Sequence, residues 1–241
     1  MTTRAGGVSV GGYESLNLGR AVADDPAAVT ENRRRVAQAV GASPVFLKQV
    51  HGSTVLRLEP THVAADADPP PADASISTDP SIACAVMVAD CLPVLFAAPG
   101  AVGAAHAGWR GLAGGVLDHT VAALCEAAGT DPRSIHAWMG ACIGPEAFEV
   151  GADVLQAFEV DAVHRDQPLF RFQPNEAGEP RWRADLAGLA RRRLQRLGLV
   201  PAAITGGGWC TFSQPSRFFS FRHERVDGRR SGRMAAVIRL R

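Results

Sequence analysis

Three short phrases carry the residues able to do chemistry: Lys48-Gln49-Val50-His51-Gly52, Ala89-Asp90-Cys91-Leu92-Pro93-Val94 and His106-Ala107-Gly108-Trp109-Arg110-Gly111. Together they offer two imidazoles, one thiol, one carboxylate and one guanidinium. Two His and one Cys can make a zinc site with three protein ligands whose fourth position stays open for water or substrate, the arrangement that separates a catalytic zinc from a structural one. Each residue also has a plainer reading. A lone His is more often a satisfied core or surface residue, and a lone Cys a small buried hydrophobe. Cys91 gains weight from standing next to Asp90 at the end of an apolar run, since a thiolate needs polar or cationic neighbours. Arg110 either clamps an anion bidentately or pairs with Asp90, and Trp109 is core packing or a lid. The other histidines, His62, His119, His136, His164 and His223, lack comparable settings.

The elements that must position these groups follow from pattern. Asp24-Asp25-Pro26 opens a helix that runs to Gly41. Val45-Phe46-Leu47 is a short strand delivering Lys48 to His51, and Val55–Leu58 alternates as another strand. Residues 59–80, rich in Pro, Asp and Ala, read as a surface loop. Ala83–Ala89 is a buried strand ending at Asp90 and Cys91, and Pro93–Ala98 is a second strand. His106 falls on a glycine-flanked loop, where chemistry commonly sits. A helix is predicted over Gly111–Ala128, a strand over Ile135–Met139, and a helix capped by Asp185 running to Gly198. Ala235–Leu240 closes the chain as a core strand. Several strands joined by short turns predict one α/β domain over residues 1–241, a layered sandwich with mixed, largely antiparallel sheets.

Composition excludes several classes. The chain has 241 residues, 46% hydrophobic and 20% charged, with net charge +1. This gives no electrostatic case for nucleic-acid or membrane-surface partners. Arg191-Arg192-Arg193 and Arg229-Arg230 read as solvated clusters, and Lys48 is the only lysine. Five widely spaced Cys without a CxxC argue against a disulfide framework. The start lacks the apolar stretch of a secretory signal, and no run is long enough for a transmembrane helix. A cytoplasmic monomer is the default expectation.

Further motifs carry a resemblance over nearly the whole chain. They are Thr2-Thr3-Arg4, Ser15-Leu16-Asn17-Leu18-Gly19, Ile143-Gly144-Pro145, Phe148-Glu149-Val150-Gly151, Cys210-Thr211-Phe212, Arg217–Arg222 and Ser231-Gly232-Arg233-Met234-Ala235. With the three phrases above, and in this order, the chain resembles the YfiH-like laccase-domain proteins, the purine nucleoside phosphorylase, polyphenol oxidase and peptidoglycan-editing-factor group. The resemblance implies a metal held by His51, Cys91 and His106, zinc or in some reports copper. It also implies a layered α/β fold similar to the cytotoxic-necrotising-factor type of cysteine hydrolase. The implied activity is phosphorolysis of adenosine, inosine and methylthioadenosine by phosphate, with adenosine deamination beside it.

On that basis Asp90 is expected to shuttle protons, and Arg4 and Arg110 to hold phosphate. Asn17 and Gln49 would hydrogen-bond sugar or base, and Lys48 and Arg222 join the substrate-binding set. Three other readings stay open. A thiol amidase acting on cell-wall precursors would use Cys91 as nucleophile with His51 or His106 as base. A copper-dependent polyphenol oxidase would need more His ligands than these. A metal-binding module without turnover is the third.

Overall fold

The computed structural model describes residues 1–63 and 70–241. Helix α1 (Pro26–Val40) starts where acid and proline set it. The Asp25 carboxylate accepts from the Ala27 amide, and Gly41 ends the helix at φ 67°. Strands β1 (Ser43–Phe46), β2 (Val55–Arg57), β3 (Ala74–Ser77), β4 (Ile82–Val88), β5 (Leu92–Ala98) and β6 (Ala101–Ala107) follow. Helices α2 (Trp109–Ala113) and α3 (Val116–Ala128) fill the stretch expected to form one helix, which breaks at Gly114 and at Gly115, φ 88°. The second half contains β7 (His136–Met139), β8 (Glu149–Val150), α4 (Ala152–Ala157), β9 (Phe170–Phe172) and β10 (Trp182–Ala184). It continues with α5 (Leu186–Arg196), β11 (Ile204–Gly206), α6 (Phe221–Asp227) and β12 (Met234–Ile238).

The largest sheet runs β11-β7-β5-β6-β3-β2, and two smaller ones run β1-β4-β12 and β8-β10-β9. Six of the pairings are antiparallel and three parallel, the mixed, largely antiparallel arrangement expected. Period-2 alternation sorts the large sheet's side chains into two layers. Leu92, Val94 and Phe96 of β5 and Ala101, Ala105 and Ala107 of β6 pack with Leu117, Leu124 and Leu189 of α3 and α5. Leu95, Val102 and Ala104 face the opposite way, against Val45, Ile82, Val86 and Ala236 of the β1-β4-β12 sheet. The edge at β11 is blunted by Arg191, whose guanidinium donates to the Ile204 and Gly206 carbonyls.

Two expectations need correction. The segment 59–80 is not a surface loop throughout: β3 within it is wholly buried, as are Ala72 and Asp73, while residues 64–69 lie outside the described residues. The composition of the segment masks this, because small Ala and Ser side chains suit a strand squeezed between neighbours as well as they suit a loop. His106 lies within β6, not on the loop after it, opposite Pro93 of β5. Among the described residues, no helix is long and apolar enough to cross a membrane.

Phe96 is fully buried at the centre of β5. Phe96→Ala should destabilise the protein by about 3–5 kcal/mol through lost burial and an unfilled cavity. Thermal unfolding should record a clearly lower midpoint, and an unchanged midpoint would contradict this layering.

Candidate metal centre

Strand register assembles the centre. Ala74 pairs with Ala105 in the antiparallel β3–β6 ladder, so Asp73 falls directly across from His106. On the other side of β6, Leu92 pairs with Ala107, which puts Cys91 across from Gly108, one step beyond the ladder. A side chain on Gly108 would put a Cβ 3.0 Å from Cys91 Sγ and 3.2 Å from the His51 ring, so glycine keeps this space free for the donors. The His51 loop reaches the same end of the sheet, with its backbone at the unusual φ of 61°.

Asp73 ties these parts together. Its Oδ1 accepts from the His51 amide at 2.9 Å and from His106 Nδ1 at 2.8 Å. Its Oδ2 accepts from the Val50 and Gly52 amides at 3.1 and 2.7 Å. The carboxylate can only accept, so His106 carries its hydrogen on Nδ1 and turns Nε2 toward Cys91 and His51. Burial pushes the Asp73 carboxyl up, but His106 and the Gly52 and Val50 amides outweigh it and hold it below its ordinary value. No sequence motif singled out Asp73. The one signal was an acid in a stretch of small residues, and register alone gives it meaning.

His51, Cys91 and His106 present donor atoms that all lie within 4.8 Å of one another, with Cys91 Sγ 3.9 Å from His51 Nε2. The two imidazoles meet edge to face, centroids 4.8 Å apart. A tetrahedral zinc with sulfur at about 2.3 Å and nitrogen at about 2.0–2.1 Å holds such donors roughly 3.3–3.7 Å apart, so closing the cluster takes only small side-chain movements. Burial raises the Cys91 thiol, yet His106 and His51 bring it below its ordinary value. Burial lowers the His106 imidazole, yet Cys91 and Asp73 raise it above its own. The thiol is thereby biased toward the thiolate that binds metal. Three donors, an oriented second imidazole nitrogen and a Cβ-free gap fit an open metal site.

A pocket of about 210 Å³ adjoins the donors, lined in part by Asp90, Arg110, Arg222, Trp109, Phe148 and Phe221. Arg225, which the sequence did not single out, also lines it. Asp90, at φ 89°, accepts from the Thr211 and Ser220 hydroxyls and from the Arg222 amide. Arg222 in turn donates to the Ala147 and Glu149 carbonyls. Arg110 lies over the Trp109 ring at 4.2 Å rather than on Asp90.

Four residues expected to bind substrate do not line this pocket. Gln49 is spent on both backbone groups of Met87, donating to its oxygen and accepting from its amide. Asn17 is fully buried, bonded to Gly19, Asp24 and the Arg233 amide. Arg4 donates to the Glu14 and Pro215 carbonyls, and Lys48 is exposed outside the pocket lining.

Asp73→Asn would set an amide NH₂ against a shell of donors. Metal affinity should fall about 10–100-fold, as for other lost partners of ligating His, measured by competition with a chromogenic chelator. Gly108→Ala should also lower metal content, while circular dichroism shows the fold retained. Wild-type affinity in both variants would remove this account of the centre.

Residues 1–241 match the family model described as multi-copper polyphenol oxidoreductase laccase. A Pseudomonas aeruginosa protein named purine nucleoside phosphorylase is 46% identical over 242 residues, covering 100% of this chain and 92% of that one. Escherichia coli purine nucleoside phosphorylase YfiH is 44% identical, covering 99% of this chain and 92% of its own length. Crystal structures of a Neisseria meningitidis protein and of YlmD from Geobacillus stearothermophilus share the fold. The first has a TM-score of 0.82 at 44% identity, covering 100% of this chain and 92% of that one. YlmD has a TM-score of 0.86 at 32% identity, covering 100% and 90%. With its whole length matched and its three donors gathered at one sheet end, the chain belongs to the YfiH-like laccase-domain family.

Proposed function

We propose that this protein is a purine nucleoside phosphorylase acting on adenosine, inosine and methylthioadenosine, and that the same pocket deaminates adenosine in a metal-dependent reaction. The names of the relatives support phosphorolysis. The observation that carries the reading is the meeting, in one pocket, of the His51–Cys91–His106 cluster with Arg110, Arg222 and Arg225 and the aromatic side chains Trp109, Phe148 and Phe221. Guanidinium groups hold phosphate oxygens bidentately, and aromatic walls suit a flat purine.

In phosphorolysis the three arginines would bind phosphate and present one oxygen to ribose C1′. The C1′–N9 bond breaks as the new C1′–O bond forms and the departing base takes the proton of hydrogen phosphate, giving free base and ribose 1-phosphate (5-methylthioribose 1-phosphate from methylthioadenosine). In deamination of adenosine, water adds at C6, and Asp90, which has one acceptor position left beside its three hydrogen bonds, would take its proton and pass it to the amino nitrogen, which leaves as ammonia as the C6–N bond breaks, giving inosine. Bound by His51, Cys91 and His106, zinc (or copper) would supply Lewis acidity and lower the pKa of a coordinated water.

A second reading rests on one observation, the lowered Cys91 thiol beside two imidazoles, which is also how a cysteine amidase activates its nucleophile. Polyphenol oxidation has less support. Among the described residues the His51–Cys91–His106 cluster is the only group of three or more His, Cys, Asp or Glu side chains placed to hold a metal, whereas such oxidation generally uses several coppers.

Purified protein given adenosine should release adenine and ribose 1-phosphate only when phosphate is present, and inosine in either buffer. Cys91→Ala should lose most bound metal and both activities, whereas an amidase would survive chelation and die on alkylation. Arg225→Ala should raise KM for phosphate about 10-fold or more, the loss of one charge-assisted contact. No nucleoside turnover by a fully metallated sample would end the phosphorylase reading.

A further inference from the structure

A second cavity, of about 490 Å³, shares no lining residue with the metal pocket. Three arginines, Arg4, Arg229 and Arg230, line it, and no Asp or Glu does. Arg4 is held rigid: Nε donates to the Glu14 carbonyl and Nη1 to the Pro215 carbonyl, both at 2.8 Å, with the guanidinium 4.8 Å from the centre of the Phe219 ring. Its remaining terminal nitrogen is left for a ligand. Among the described residues, the Arg229 and Arg230 guanidinium groups have no hydrogen-bond or ion-pair partner.

The Ser231 hydroxyl is in the same position. Ser231 is 6% exposed and lines the cavity, yet its hydroxyl has no partner among the described residues. This hydroxyl opens into the cavity and is left for a ligand. The basic segment is also seated in place. A Cβ on Gly12 would stand 2.5 Å from the Arg230 carbonyl oxygen and 2.9 Å from its Cβ, so only glycine lets the Gly11–Tyr13 turn pack so closely beneath it. Three like charges around one cavity repel each other, and an anion between them relieves that repulsion.

We infer that this cavity binds a phosphate monoester of a small organic molecule, the class that includes nucleoside monophosphates. Guanidinium forks match phosphate geometry. The volume lies within the range of small-molecule sites, roughly 300–1,000 Å³, and exceeds what a lone oxyanion fills. Phe218 and Phe219 on the wall give the organic body an apolar surface. The two pockets back onto one segment: Ser220 lines this cavity and donates to Asp90, while Arg222, two residues on, lines the other.

Isothermal titration of the metal-loaded full-length protein with adenosine 5′-monophosphate, and separately with inorganic phosphate, tests the site. Three proteins are compared: wild type, Arg229→Ala/Arg230→Ala, and Arg110→Ala/Arg225→Ala. The nucleotide should bind wild type and the Arg110/Arg225 variant alike and at least tenfold more weakly to the Arg229/Arg230 variant. The exposed, unpartnered Arg229 and Arg230 can be removed without unfolding, which the melting temperature confirms. Inorganic phosphate should bind this cavity more weakly than the nucleotide. Equal affinity for the two overturns the monoester assignment. Loss of nucleotide binding in the Arg110/Arg225 variant alone, or no saturable binding to wild type, overturns the site.

Discussion

The candidate metal centre depends on one buried carboxylate. Asp73 is inaccessible to solvent and uses both oxygens twice, for three consecutive loop amides and one imidazole. An isolated charge in that position would be strongly disfavoured; four donors make it stable. The converging amides of Val50, His51 and Gly52 also account for the positive φ of His51, because a loop wrapped around an anion must point successive N–H groups inward. One interaction thereby fixes the loop that carries His51 and orients His106 on its strand, and the two imidazoles meet without belonging to neighbouring elements.

Small residues make the rest possible. β6 reads Ala-Val-Gly-Ala-Ala-His-Ala, wholly buried between two layers. Its thin side chains let helices approach from one side and the β1-β4-β12 sheet from the other. The glycines after it continue the theme: Gly108 leaves room for the donors, and a Cβ on Gly111 would lie 2.8 Å from the Gly52 carbonyl, so the His51 loop and α2 can touch. The pocket's other wall is secured by Asp90, whose hydrogen bonds draw Thr211, Ser220 and Arg222 from more than a hundred residues away to the end of β4.

Much of this was legible in order along the chain. The candidate donor types, α1 with its proline start and glycine stop, and the alternation of short strands and turns follow from local chemistry. Polar residues near the motifs were harder to read. Gln49 and Asn17 have side chains suited to a nucleoside, yet both bond backbone groups of Met87, Gly19 and Arg233. Residue type alone does not say whether an amide faces a ligand or the main chain.

The candidate donor types, the turn chemistry around them and the layered α/β class follow from residue identity and short-range periodicity, so they can be read along the chain. The place of Asp73 in the candidate centre, of His106 in a strand, of Arg225 beside Arg110 and Arg222, and of Arg4 at a different cavity appears only once the chain is folded. Those outcomes rest on strand register and on which face a side chain takes. Register is set by packing between segments far apart in the chain, and a shift of one residue would have turned Asp73 away from His106.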